Sequence, residues 1–220
     1  MECYPDIYRN IFKVATIESM PNPFVISTKY PSDVEYKSGC ELVFYITLFG
    51  AVCGFAQKVA NAVESMNNGK LANTRLMRCE EIYDQEWSDA GAEHISHCDV
   101  LTVDFLTPTG IMVKKQATAQ IDFHLFVDRL FARIGEIIDN YSDSELVIPY
   151  NLVSKKPNVK AEYNLRMVKF QTNGQPISGV CGKVRYMGNV SRYLPYIDLA
   201  SQLHIGKKTT RSCGEFSFEI

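Results

Sequence analysis

From residue 99 to its end, the chain alternates strand and helix patterns in an order that restricts the fold more than any other feature. Strands are marked by alternating apolar and polar side chains, and helices by apolar side chains that recur every three or four residues. The patterns occur, in order, at residues 99–106 (strand), 121–140 (helix), 159–171 (strand), 179–187 (strand), 189–204 (helix) and 215–220 (strand). This β-α-β-β-α-β order is that of the ferredoxin-like, or RRM-like, fold. We therefore predict a complete ferredoxin-like domain over residues 99–220.

Two short signals support the connections within this domain. Asn173 and Gly174 form a dipeptide that two-residue hairpins favour, and they stand between two of the strand patterns. Ser191 stands near the start of the second helix pattern, where a serine hydroxyl can cap a helix. The first signal predicts a hairpin turn, and the second predicts the cap of the second helix.

The N-terminal part shows a shortened form of the same order. Its patterns give β-β-α-β, at residues 24–27 (strand), 41–49 (strand), 54–66 (helix) and 73–83 (strand). The opening strand and helix are absent from this order. We therefore predict an α+β protein with tandem ferredoxin-like domains: an incomplete one at residues 1–88, a linker at 89–98, and the complete one at 99–220.

Composition excludes several classes of protein. The apolar fraction of 46% and the charged fraction of 22% are ordinary for a globular protein. The most apolar window, residues 42–56, is shorter than the ~20 residues that cross a bilayer. Residues 1–10 lack the basic-then-apolar pattern of a secretory signal. The seven cysteines are scattered without a CxxC pair, which argues against a disulfide framework. We expect a cytoplasmic protein with reduced thiols.

Charge is distributed unevenly along the chain. Residues 151–220 hold eleven basic and four acidic residues, a net charge of +7. Since the whole chain carries −2, the first 150 residues sum to −9. A basic end on an acidic protein favours a polyanionic partner, although a solvated basic surface is the simpler interpretation.

The C-terminal sequence combines spaced glycines, a helix pattern and a basic loop. The residues that form this pattern are Gly179, Gly182, Gly188, Leu194, His204, Ile205, Gly206, Lys207, Thr209, Gly214 and Phe216. The string resembles the close of the CRISPR-associated precursor-RNA processing endoribonucleases, which are members of the RAMP superfamily. Segments 21–27, 38–52 and 99–114 resemble earlier parts of the same family, so the resemblance covers nearly the whole chain.

The resemblance implies a function. It implies binding of CRISPR repeat RNA and metal-independent cutting of the precursor transcript, in which a 2′-hydroxyl attacks the phosphate and leaves a 2′,3′-cyclic phosphate. We expect no cofactor and no metal site. The expected partners are CRISPR repeat RNA, CRISPR effector subunits, and a second copy or another chain that supplies the missing N-terminal elements. We expect no membrane partner.

Two departures from the family pattern keep alternatives open. The family usually has another strand and helix before the position of Met1, often with its catalytic histidine, and this sequence shows neither. Ser212 stands where the family's loop commonly has a glycine, and residues 67–75 are poorer in glycine. One alternative is therefore a catalytically inactive RNA-binding RAMP subunit or a degenerate relative. Another is a ferredoxin-like scaffold or small-molecule sensor without a nucleic-acid role.

Residues 206–214, here called the basic loop, hold the candidate RNA-binding residues. Basic side chains can meet phosphates, threonine hydroxyls can bond to phosphate or to a ribose 2′-hydroxyl, and glycines let the backbone approach closely. The candidates are Gly206, Lys207, Lys208, Thr209, Thr210, Arg211 and Gly214. The alternative is a solvated turn whose lysines complement the dipole of the preceding helix.

Cleavage without metal requires a base for the 2′-hydroxyl, an acid for the leaving 5′-oxygen and a cation near the phosphorane. Histidine titrates near neutral pH, and His204 adjoins the basic loop, so it is the first catalytic candidate. Lys207 or Lys208 would supply the cation. A histidine that bonds to backbone carbonyls at a helix end is the competing interpretation of His204. Tyr4 and Tyr8 are alternatives because the family's active region lies toward the N-terminus.

Other polar and aromatic groups favour structural interpretations. His124 lies within an apolar helix pattern and is expected to pack there. His94, His97 and Cys98 form HxxHC, but three clustered candidates without a paired motif predict no zinc site. Several aromatic residues alternate with basic ones, a mixture that can stack unpaired bases, although aromatics in strands usually belong to the core. These aromatics are Tyr163, Phe170, Tyr186, Tyr193 and Tyr196.

Overall fold

The N-terminal part contains a small antiparallel sheet and a helix. The structure, a computed structural model, describes residues 11, 20–28, 37, 39–66, 78, 80, 97–114, 116–142, 149, 151–154, 156–172 and 175–220. Strand β1 (Phe24–Thr28) pairs with β2 (Phe44–Leu48), and a 3-10 helix (Gly50–Phe55) leads into α1 (Ala56–Met66). The strand predicted at 73–83 and the linker predicted at 89–98 lie mostly outside the described residues.

The C-terminal part follows the predicted order of strands and helices. Its elements are β3 (Val100–Thr109), the short strands β4 (Met112–Val113) and β5 (Gln116–Ala117), α2 (Phe123–Tyr141), α3 (Asn151–Ser154), β6 (Lys160–Thr172), β7 (Gln175–Met187), α4 (Leu194–Leu203) and β8 (Phe216–Glu219). The four long strands form one antiparallel sheet in the order β6-β7-β3-β8. Because the first and third strands of the motif lie at its centre, this is the ferredoxin-like arrangement. The predicted α+β class is confirmed.

One face of this sheet packs against α2 and α4. Asp122 caps α2 by accepting a hydrogen bond of 2.8 Å from the backbone N–H of Leu125, which fixes where the helix begins. The apolar stripe predicted for this helix is buried, together with alternate residues of β3. Phe126 is fully buried between sheet and helices, so truncating it to alanine is expected to cost about 3–5 kcal/mol. Among the helices of the described ranges, none has the length and apolar character that crossing a bilayer requires.

The N-terminal part packs directly onto the C-terminal domain. Val25 and Phe49 belong to the same buried cluster as the core of that domain. The hydroxyl of Tyr141 donates to the carbonyl oxygen of Pro21. Gly50 has φ +61°, and a Cβ there would lie 1.7 Å from the carbonyl oxygen of Tyr141. Glycine is therefore required where the 3-10 helix meets the end of α2.

The structure answers one question that the sequence left open and corrects one prediction. Tyr186 and Tyr193 are core residues rather than a base-stacking surface, because both are buried and their hydroxyls donate to the carbonyls of Ile121 and Leu152. Ser191 does not cap the following helix, since its hydroxyl oxygen accepts a hydrogen bond of 2.7 Å from the backbone N–H of Cys98. That bond ties the start of the C-terminal domain to the approach to α4.

The other aromatic candidates differ in their exposure. Tyr196 packs against Phe131, with ring centroids 4.9 Å apart. Tyr163 on β6 is 43% exposed. The side chain of Phe170 and the predicted turn residues Asn173 and Gly174 lie outside the described residues.

Candidate functional site

The basic loop is closed at its base by backbone hydrogen bonds. The N–H of Ile205 donates to the carbonyl of Gly214 (3.0 Å), which joins the end of α4 to the start of β8. Within the loop, the N–H of Arg211 donates to the carbonyl of Lys208 (2.9 Å) around a 3-10 turn (Thr209–Arg211). The loop therefore has a defined shape rather than that of an open solvated turn.

The floor under the basic loop is formed by residues 107–110, at the end of β3. Their sequence, Thr-Pro-Thr-Gly, is typical of a turn, but all four residues are buried and the first three extend the strand. The carbonyl of Gly110 accepts from the N–H of Lys207 (3.3 Å), and that of Pro108 accepts from the N–H of Gly214 (3.3 Å). The hydroxyl of Thr107 accepts from the N–H of Glu215 (3.0 Å). Because Lys207, Gly214 and Glu215 contribute only backbone N–H groups to these bonds, the bonds do not depend on the exposed side chains of the loop.

Backbone strain is concentrated in this loop. His204, Lys208 and Ser212 all have positive φ (54°, 65° and 56°), as do Gly206 and Gly214 (84° and 80°). Side chains disfavour this region, and residues held there cost on the order of 1–3 kcal/mol each unless the surroundings compensate. Such strain clusters at functional sites. The positive φ of Ser212 also explains why a glycine would suit that position.

The candidate side chains divide into exposed and internal ones. Lys207 and Arg211 are exposed, and Lys208 and Thr210 are half-buried. Thr209 is buried, so its side chain is largely shielded from solvent. Two cations are therefore directly available to an anionic partner.

The loop glycines serve contacts within the protein. A Cβ on Gly214 would lie 1.9 Å from the carbonyl oxygen of Ile205, and one on Gly206 would lie 2.9 Å from that of Gly110. Gly214 is buried, whereas Gly206 is exposed. The close approach that Gly214 permits is thus between two protein segments, and only Gly206 is open to a ligand.

His204 is a buried residue beneath the loop. Its side chain is 3% exposed, and Nδ1 lies 3.3 Å from the carbonyl oxygen of Cys213. The pKa of His204 is lowered from 6.5 to about 4, mainly because the imidazole is buried. The positive charge of Arg133 lowers this pKa further, whereas the bond to Cys213 raises it. The imidazole is therefore neutral near pH 7. That it transfers a proton stays a prediction, and its burial favours the structural interpretation.

Arg133 is a residue of this site that the sequence analysis missed. It is 8% exposed, and its Nε donates to the carbonyl of Leu203 (3.3 Å), the last residue of α4. Burial lowers the pKa of Arg133. The signal was available, because Arg133 stands between Leu130 and Ile137 on the apolar face of the helix, where a cation is unexpected.

The N-terminal part reaches the loop through β1. This strand packs against the 3-10 turn Thr209–Arg211. The backbone N–H of Thr28 bonds to the carboxylate of Glu215, and burial raises the pKa of that carboxyl. The basic loop therefore lies where the two parts of the chain meet.

The remaining candidates do not form a second site among the described residues. No group of three or more His, Cys, Asp or Glu side chains there is arranged to hold a metal ion. His97 pairs with Asp99 (3.3 Å) and the thiol of Cys98 bonds to the carbonyl of Val100, while His94 lies outside the described residues. Tyr4 and Tyr8 also lie outside them. His124 is half-buried, and its Nδ1 is buried without a hydrogen-bond partner.

Two family models together match most of the chain. The family model described as CRISPR-associated endoribonuclease Cas6 matches residues 103–216, and a second model, described as an N-terminal domain, matches residues 3–99. The comparison with curated protein sequences found no match.

Solved structures share the fold at low sequence identity. Cas6 from Thermus thermophilus is 16% identical with a TM-score of 0.57, over 99% of this chain and 93% of that one. A product complex of the same protein is 15% identical with a TM-score of 0.68, and the match covers 97% of this chain and 89% of that one. A partial Cas6-RT-Cas1–Cas2 complex is 8% identical with a TM-score of 0.63, and the match covers 97% of this chain and 41% of that one. The tandem ferredoxin-like fold predicted from the sequence is therefore confirmed.

Proposed function

This chain belongs to the family of CRISPR-associated endoribonucleases named Cas6, and from that premise we propose that it binds CRISPR repeat RNA and cuts it within the precursor transcript. The observation that carries the proposal is the basic loop, which presents two exposed cations on a buried backbone floor inside the region matched by the family model. RNA phosphates are the natural ligands of such a surface.

The proposed reaction is transesterification without a metal ion. The 2′-oxygen attacks the adjacent phosphorus and loses its proton to a base. The bond from phosphorus to the 5′-oxygen then breaks, and an acid protonates the leaving oxygen. The products are a 2′,3′-cyclic phosphate and a 5′-hydroxyl. A cation near the phosphorane stabilises the charge that develops on its oxygens.

We assign roles in the loop by exposure. Lys207 and Arg211 bind phosphates directly, since their charged groups face solvent. Lys208 lies between them and is held by the carbonyl of Pro176, so it supports the loop and adds positive potential. Gly206 and Thr210 border these cations, where their backbone and hydroxyl groups can bond to the RNA chain.

The proposed function requires repeat RNA as a partner. Other proteins of a CRISPR complex are a further proposed partner. One of the similar structures is a partial Cas6-RT-Cas1–Cas2 complex, which supports testing for assembly with other CRISPR proteins. Pull-down with the products of neighbouring CRISPR genes, with and without ribonuclease, would separate direct contacts from contacts that RNA bridges.

The test of the function uses repeat RNA from the CRISPR array of the same genome, in EDTA. Once the cut is mapped, a second RNA carries a single 2′-deoxyribose on the 5′ side of the cut. We expect the first RNA to be cut with a cyclic phosphate end, and the second to be bound equally well but left intact. Binding without cutting would favour the inactive RNA-binding alternative. Cutting of the deoxy substrate would overturn the proposed 2′-hydroxyl attack.

A further inference from the structure

His204 has a backbone conformation that its side chain must help to maintain. Its φ of 54° and ψ of 155° lie in a region used almost only by glycine. A histidine persists there only where neighbouring contacts outweigh the strain. One such contact is the bond from Nδ1 to the carbonyl of Cys213. Since a carbonyl oxygen only accepts, Nδ1 carries the proton in this arrangement.

This bond crosses the base of the basic loop. Cys213 precedes Gly214, whose carbonyl accepts from the N–H of Ile205. The imidazole and the backbone of Ile205 therefore bond to neighbouring carbonyls on the returning side of the loop. Together they hold the two ends of the loop at a fixed distance, while the cations project from the segment between them.

Arg133 fixes the same place from the other side. Its bond to the carbonyl of Leu203 holds the residue that immediately precedes His204. A second nitrogen, Nη2, is buried and has no hydrogen-bond partner among the residues that the structure describes. A buried guanidinium with an unpaired nitrogen stabilises the folded protein less than an apolar side chain of similar shape would. Its presence is explained by what it holds, which is the end of α4 where the loop begins.

We propose that Arg133 and His204 are positioning residues, which hold the basic loop in the shape needed for cleavage, and that neither exchanges a proton with the RNA. The proposal rests on the proposed function for its cleavage readout, but it also predicts a property of the protein without RNA. It replaces the catalytic role that the sequence suggested for His204.

The test compares His204→Asn with His204→Ala. Asparagine carries an N–H donor at the same number of bonds from Cα as Nδ1 and has no titrating group. We expect His204→Ala to slow single-turnover cleavage on the order of tenfold to a hundredfold, because the cations are misplaced. His204→Asn should restore most of that rate. Asparagine as slow as alanine, with intact folding and RNA affinity, would mean that His204 transfers a proton and would overturn the proposal.

A readout without RNA separates this proposal from the proposed function. The amide hydrogens of Ile205 and Gly214 bond across the loop base and to its floor, so their exchange with solvent reports the loop's closure. We expect faster exchange in His204→Ala and near wild-type exchange in His204→Asn. Unchanged exchange in the alanine variant would refute the positioning role. Failure of the wild-type protein to cut RNA would count against the proposed function alone.

Arg133 provides an independent pair of variants. Arg133→Met keeps the length of the side chain and removes the donor, whereas Arg133→Lys keeps a donor near the carbonyl of Leu203. We expect the methionine variant to remain folded, to cleave RNA more slowly and to exchange the amide hydrogens of Ile205 and Gly214 faster. The lysine variant should partly restore both properties. A methionine variant with the wild-type cleavage rate and wild-type amide exchange would show that Arg133 does not position the loop.

Discussion

The ammonium group of Lys208 donates a hydrogen bond of 2.6 Å to the carbonyl oxygen of Pro176, at the beginning of β7. This bond joins the basic loop to the hairpin of β6 and β7. Lys207, the preceding residue, is exposed, and its side chain has no hydrogen bond or ion pair with the residues that the structure describes. Neighbouring lysines in the chain thus have different surroundings.

We predict that the two lysines affect different properties when changed to methionine. Lys208→Met should lower the free energy of unfolding by about 1 kcal/mol, since it removes a charge-assisted hydrogen bond that is partly exposed. Lys207→Met should leave unfolding unchanged and weaken RNA binding. Urea unfolding and fluorescence anisotropy with labelled repeat RNA measure the two effects. Equal effects of both variants on the free energy of unfolding would contradict the different surroundings of Lys207 and Lys208.

The salt dependence of RNA binding should identify the phosphate-binding cations. Removing one side chain that binds a phosphate is expected to lower the slope of log affinity against log salt by about one. We predict this change for Lys207→Ala and for Arg211→Ala. Lys58→Ala is the matched control, because Lys58 is an exposed cation on α1. A slope that falls equally in the control would show general attraction by net charge rather than binding at the loop.

Ser212 and Gly214 give opposite predictions for changes in the same loop. Ser212→Gly should raise the free energy of unfolding by roughly 0.5–1 kcal/mol, because glycine relieves the positive φ at some cost in chain entropy. Ser212→Ala should bring no such gain. Gly214→Ala should destabilise the protein and slow cleavage, since its Cβ would lie 1.9 Å from the carbonyl oxygen of Ile205.

Gly54→Ala is the control for the glycine variant. A Cβ at Gly54 meets nothing within 4 Å, and its backbone has no positive φ. Thermal unfolding and single-turnover cleavage of these four variants test the prediction. A Gly214→Ala protein as stable as Gly54→Ala would show that the loop can be repacked without cost.

Much of the fold was predictable because it depends on local periodicity. The stripe of α2 and the alternation of β3 are set by side chains a few residues apart, so the sequence predicts both elements within a few residues. The end of β3 was less predictable. Thr107 and Pro108 have the residue types of a turn, and contacts with Glu215 and Gly214, over a hundred residues later, help to hold them in the strand.

The candidate site was predictable as a location but less so as a set of roles. Basic residues between spaced glycines mark the loop, and Lys207 and Arg211 are exposed as expected. Burial depends on the tertiary arrangement, so the sequence could not separate Thr209 from Thr210 or place His204 under the loop. Arg133 belongs to a distant helix, and its contact with Leu203 follows only from the packing of α2 against α4.

The buried imidazole of His204 predicts a specific dependence of stability on pH. Its pKa is lowered from 6.5 to about 4 in the folded protein, mainly by burial. Between these values the unfolded chain binds more protons than the folded one, so acid favours unfolding. The contribution is fully present above the unfolded pKa and is lost as the pH falls from 6.5 toward 4. From about pH 7 to pH 5 we expect a loss of about 2 kcal/mol from this residue.

The variant His204→Asn isolates this contribution from other groups. Burial raises the pKa of Glu215, which stabilises the fold as the pH falls and partly opposes the effect of His204. Because both proteins contain Glu215, the difference between their unfolding free energies cancels its contribution. Urea titrations at several pH values should therefore show the wild-type protein losing stability relative to His204→Asn below pH 6.5. Parallel curves would mean that the imidazole is protonated in the folded protein as readily as in water, and would contradict the lowered pKa.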